Sequence, residues 1–116
     1  MPSAISSPPD AAFHALGDPT RRRVLELLRD QPTLTAGQLA AEFPAISRPS
    51  VSKHLRILRE ASLVIAEQVG REWHYRLDPA PLAAIHHQWL STFLPLFDES
   101  LGRLKIRVES RHGHRA

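Results

Sequence analysis

The feature that most restricts the fold is a change of apolar period near Ser62. Before it, Val51, Leu55 and Leu58 recur at i, i+4 and i+7, which is the spacing of one buried helix face. After it, Val64, Ile65 and Val69 are strand formers, and Trp73, Tyr75 and Leu77 alternate with Glu72, His74 and Arg76 beyond a Gly70-Arg71 turn. A helix over 47–60 is therefore predicted to run directly into a β-hairpin.

The residues upstream fill in the rest of the architecture. Ala11, Ala12, Phe13 and Leu16 form a short apolar helix face that ends at Gly17, and Asp18 with Pro19 starts a second helix reaching to about residue 29. Val24, Leu25, Leu27 and Leu28 are its inward residues, with Arg21, Arg22 and Arg23 expected on exposed turns. Thr35 and Gln38 occupy the positions of a capping box, so a third helix is expected over 36–43 with Leu39 and Phe43 inward and Pro44 closing it. Ser47 caps the fourth helix, and Pro49 lies in its first turn. Two short helices joined by a tight turn have helix-turn-helix proportions. The expected fold is mainly α with a small β-hairpin wing: a winged helix-turn-helix of about five helices.

Asp78 and Pro79 start a last helix with Leu82, Ile85, Trp89, Phe93, Leu96, Phe97, Leu101, Leu104 and Val108 spaced mostly three or four apart. At 1.5 Å per residue this stripe reaches roughly 40 Å, more than a domain of this size covers with its own core. Part of it is expected to meet a second subunit, together with Phe13, and Pro95 is expected to bend or split the helix near Leu94. Residues 1–9, rich in proline and serine, are expected to be a disordered arm; 10–108 form one domain; 109–116 read as a flexible basic tail.

Charge and composition narrow the function. From Ser47 to Arg59 the basic residues are Arg48, Lys53, Arg56 and Arg59, with no acidic residue among them, a pattern suited to a polyphosphate surface. The chain of 116 residues has no cysteine, which excludes disulfides, thiolate metal sites and cysteine nucleophiles. No glycine-rich phosphate loop, paired carboxylates or nucleophile elbow is present, so no enzyme is expected. Neither a signal peptide nor a membrane span is read, and the expected location is cytoplasmic.

FHALGDPTRRRVLELL, SRPSVSKHLRILREASLV and GREWHYRL resemble the ArsR/SmtB family of dimeric winged-helix repressors, in particular its metal-independent members. The most specific element is the order Ser47, Ser52, His54, Leu55, followed by the leucine-rich helix end and the Gly-Arg turn. The resemblance implies a homodimer that represses transcription by placing the fourth helix in the major groove of double-stranded DNA. Ser47, Arg48, Ser50, Ser52, Lys53, His54 and Arg56 would then lie near DNA, with Arg48 reading guanine and Lys53 and Arg56 holding phosphates. His54 has the alternative of a hydrogen bond inside the domain. Arg71 would reach a minor groove from the wing or else be a solvated turn residue, and Arg21 and Arg22 would contact the DNA backbone or serve only solubility.

No cofactor or metal is expected. The rival readings are a metal sensor pairing His86 or His87 with Asp98 or Glu99 of a partner, and a winged-helix protein-interaction module. The aromatic stripe of Trp89, Phe93 and Phe97 reads as interface rather than ligand pocket. No residue names an inducer.

Overall fold

The computed structural model describes residues 10–96 and Glu99. The elements are α1 (Asp10–Leu16), α2 (Pro19–Asp30), β1 (Leu34–Thr35), α3 (Ala36–Ala41), α4 (Arg48–Glu60), β2 (Val64–Val69), β3 (Glu72–Leu77) and α5 (Ala80–Gln88), followed by a 3₁₀ turn over Leu90–Phe93. This is a winged helix-turn-helix. Residues 1–9, Phe97, Asp98, Leu101, Leu104, Val108 and 109–116, for which the sequence raised expectations, lie outside the described residues.

Helix starts follow the capping chemistry. Asp18 Oδ2 accepts from the N–H groups of Thr20 at 2.8 Å and Arg21 at 3.1 Å, and Pro19 follows, where its missing donor costs nothing. Gln38 N–H donates to Thr35 Oγ1 while Gln38 Oε1 accepts from Thr35 N–H, the reciprocal capping box. Ser47 Oγ accepts from Ser50 N–H at 3.3 Å. The end of α3 comes earlier than expected, at Ala41, because Glu42 and Phe43 donate to Leu39 and Ala40, three residues back, tightening the chain ahead of Pro44.

The wing contains one more strand than the hairpin alone. The sheet order is β1-β3-β2, all antiparallel, with Leu34 opposite Tyr75 and Thr35 opposite His74. A two-residue strand is too short to show an alternation, which is why pattern reading misses it. Val69 faces Glu72, leaving Gly70 and Arg71 as the turn, and Gly70 takes φ +64° at the first central position. Trp73 shares the sheet face of the buried Tyr75, yet it is 43% exposed, because the hairpin projects past the core two residue pairs nearer the tip.

One core underlies α4. Val24, Leu39, Leu58, Leu63 and Val64 are fully buried, and Val51 and Leu55 nearly so. Ile85, expected at a subunit interface, is instead part of this core at 5% exposure, since α5 folds back onto its own domain; Leu82 is half-buried against it. The end of α4 closes with Ser62 N–H bonded to Arg59 O and Leu63 N–H to Leu58 O, the pair of bonds that needs a left-handed residue between them. Ser62 supplies it at φ 62°. Ser62→Gly is therefore expected to stabilise the domain by roughly 0.5–1 kcal/mol in urea unfolding; an unchanged or lower midpoint would refute strain at this cap.

The last helix is interrupted earlier than Pro95 implied. α5 stops at Gln88, Trp89 leaves helical geometry (φ −129°, ψ −57°), and helical backbone returns at 94–96. Ser91 Oγ donates to His87 O and Thr92 Oγ1 to Trp89 O, so hydroxyls compete with the backbone for these carbonyls. Pro95 cannot donate to Ser91 O; Leu94 N–H does so one residue earlier, in 3₁₀ fashion. Pro95 then sits in the first turn of the resumed helix, where proline is tolerated.

Candidate nucleic-acid interface

The apolar stripe of α4 decides what its other side presents. With Val51, Leu55 and Leu58 buried, Arg48, Pro49, Ser50, Ser52, Lys53, Arg56 and Arg59 are all exposed. Between this face and the wing lies a cleft of about 450 Å³ lined by Pro49, Ser52, Lys53, Arg56, Arg59 and Tyr75. Its ionised side chains are all cations. Arg59 and Tyr75 were not among the sequence-derived contacts. Arg59 had a usable signal, since 49, 52, 53, 56 and 59 repeat at three and four residues along one face; Tyr75 had none, as only the sheet pairing brings it beside α4.

The two serines at the start of α4 are partly committed to the helix. Ser47 Oγ donates to Ser50 Oγ at 3.0 Å while accepting from Ser50 N–H, so Ser47 shapes the entry. Arg48 beside them is exposed, and so is Arg71 at the wing tip. Arg22 is exposed as well, with Nη1 donating to Leu16 O at 2.7 Å and closing the end of α1.

Arg21 corrects the sequence reading. It is 7% exposed, and its Nε donates to Ala15 O at 2.8 Å, Nη2 to His14 O at 3.1 Å, and Nη1 meets His54 Nδ1 at 3.1 Å. The guanidinium ties the end of α1 to α4 and is unavailable to DNA. His54 correspondingly takes the internal alternative at Nδ1, which also lies 3.9 Å from Asp18 Oδ2. Both had a signal: Arg21 precedes Val24, Leu25 and Leu28 at i, i+3, i+4, i+7, and His54 stands in the stripe of Val51, Leu55 and Leu58.

Partial desolvation pushes the Asp18 carboxyl up, but the Arg21 N–H, the charge of His54, the Thr20 N–H and the Arg21 guanidinium together hold it below its ordinary value of 3.8. A carboxyl depressed by folding contributes stability that is complete above the unfolded value and is lost as pH falls through the folded one. Asp18→Asn keeps a capping oxygen without titrating. The stability difference between parent and variant is accordingly expected to shrink between about pH 5 and about pH 3 in urea titrations. A difference that stays constant would show that this carboxylate is not coupled to folding.

A cationic helix face beside a wing raises the question of which regulators share it. The sequence profile described as a helix-turn-helix domain matches residues 16–66. The HTH-type transcriptional regulator Rv2034 of Mycobacterium tuberculosis is 47% identical over 77 residues, 66% of this chain and 70% of that protein. The transcriptional repressor SdpR of Bacillus subtilis is 37% identical over 89 residues, 77% of this chain and 96% of its own. An ArsR-like transcriptional regulator from Rhodococcus sp. RHA1 superposes with a TM-score of 0.69 at 32% identity, covering 95% of this chain and 98% of the other. The chain belongs to the ArsR family.

No helix among the described residues is long and apolar enough to cross a membrane. Nor do the described residues contain a group of three or more His, Cys, Asp or Glu able to hold a metal ion; His86 and His87 stack edge to face, 5.0 Å apart at 87°. Trp89 packs edge-on against Phe13 at 5.3 Å and Phe93 at 5.1 Å, bringing α1 and the chain after α5 into one aromatic cluster. Trp89, Leu94 and Leu96 remain 43%, 44% and 62% exposed beside it.

Proposed function

We propose that this ArsR-family regulator is a homodimeric repressor that binds an inverted-repeat operator, with α4 in the major groove and the Gly70-Arg71 turn over the adjacent minor groove. The observation that carries this reading is the cleft between α4 and the wing, whose charged lining consists of Lys53, Arg56 and Arg59 alone. Exposed Arg48 at the first turn is suited to bidentate guanine contact, Ser50 and Ser52 to base edges or phosphates, and Lys53 and Arg56 to phosphates. Arg71 fits a minor groove, where its cation meets enhanced negative potential. Repression is supported by the similarity to the Bacillus subtilis repressor SdpR. The exposed Trp89, Leu94 and Leu96, continuing from the Phe13 cluster, form the surface for the second subunit. Two symmetric α4 helices about 34 Å apart read two half-sites one helical turn apart. The dimer acts in the cytoplasm without a resident metal.

The test is a mobility-shift titration over a range of salt, using DNA from upstream of its own gene. Arg48→Ala is expected to cost about 1–3 kcal/mol and relax base preference, whereas Lys53→Ala weakens all sequences alike and lowers the salt slope by about one. If both variants bind with parental affinity and selectivity, the assignment of α4 fails. Sedimentation equilibrium should give a dimer, and a panel of divalent metals should leave the titration unchanged.

A further inference from the structure

His54 borders the buried stripe of α4, yet among the described residues one end of its ring has no hydrogen-bond partner. At the inner end, Nδ1 is 3.1 Å from Arg21 Nη1. Arg21 is held there by Ala15 O at Nε and His14 O at Nη2, so the guanidinium is aimed by α1 and not by solvent. A guanidinium donates and never accepts, so Nδ1 must offer its lone pair, and the neutral ring then carries its proton on Nε2. Among the described residues no buried side-chain nitrogen or oxygen lacks a hydrogen-bond partner. Among the described residues His54 has no hydrogen bond or ion pair beyond those with Arg21 and Asp18, so Nε2 has no partner there and meets solvent on a side chain 20% exposed.

We propose that Arg21 fixes His54 as the Nε2–H tautomer, and that this N–H donates to a phosphate oxygen of the bound DNA; Arg21 is the positioning residue of that contact. The proposal rests on the DNA-binding reading above and adds a neutral donor to its cations. A phosphate is the fitting acceptor because His54 lies at the flank of α4, between its buried stripe and the exposed Ser50 one turn before it, so that its outer edge points along the side of the helix rather than from the face carrying Ser52 and Arg56. A neutral donor releases no counterion, so its loss weakens binding without altering the salt dependence, unlike the loss of Lys53.

The tautomer is read in the full chain without DNA, by long-range ¹⁵N–¹H correlation at about pH 7.5: His54 is expected to show a protonated Nε2 and a bare Nδ1. A ring protonated at Nδ1, alone or together with Nε2, overturns the proposal. In the mobility shift with an upstream duplex of about 30 base pairs, His54→Ala is expected to bind on the order of tenfold more weakly with the parental salt slope. His54→Gln, whose amide N–H can reach where Nε2–H does, should retain affinity within about threefold. Parental affinity in a folded His54→Ala, or a slope reduced by about one, overturns the contact. Should the parent chain show no salt-dependent DNA binding, the broader reading falls, while the tautomer measurement stands by itself.

Discussion

Arg21→Met is expected to destabilise the domain by about 3 kcal/mol, lowering the melting temperature by roughly 12–24 °C, although arginine is ordinarily a surface residue. Methionine preserves the bulk of the stem and removes only the guanidinium. What is lost is a set of hydrogen bonds from a cation to Ala15 O, His14 O and His54 Nδ1, at a residue only 7% exposed. The two carbonyls belong to the last turn of α1, which has no further residue of its own helix to bond them. His14 O keeps the Gly17 N–H at 3.1 Å, but Ala15 O loses its Arg21 donor in a buried site, which costs more than the hydrogen bond contributed. Arg22→Met is the control: its guanidinium also reaches a carbonyl of α1, Leu16 O, but in solvent, where water replaces it for less than about 1 kcal/mol. Equal, small losses for the two variants in urea unfolding would show that Arg21 is not a brace.

Leu58→Ala should cost about 3–4 kcal/mol, because Leu58 has no exposed surface and lies where α4 joins the core beneath the interface. The lost methyl groups forfeit transfer free energy, and the cavity left within the buried cluster adds the remainder. The same deletion at Val69, 53% exposed on the wing, is expected to stay within about 0.5 kcal/mol. With a typical small-domain stability of about 5–15 kcal/mol, Leu58→Ala approaches the unfolding threshold, so DNA binding should fail through loss of fold at moderate temperature and return on cooling toward 10–20 °C. A Leu58→Ala variant within about 1 kcal/mol of the parent would show that the core relaxes around the gap.

How far each element was legible depended on the range of the interaction that forms it. Caps are local: Asp18, Thr35 with Gln38, and Ser47 announce helix starts because their partners lie two or three residues away. The Gly70 turn is equally local, and so is the amphipathic division of α4, from which the exposed basic residues follow. Arg21 is the exception: its position in the apolar stripe of α2 points inward while its residue type argues for solvent, and at His54 the sequence leaves the internal bond and the DNA contact both open.

From sequence alone came the order of elements, the helix-then-wing arrangement and the basic character of the α4 face, all properties of neighbours along the chain. The tertiary structure decided that β1 joins the sheet through Tyr75, that Ile85 fills this domain's own core, that Trp73 overhangs it, and that Arg21 meets His54. Each of these depends on which surfaces meet across long sequence separations. A hydrophobic pattern records that a residue is to be covered, and only packing determines what covers it.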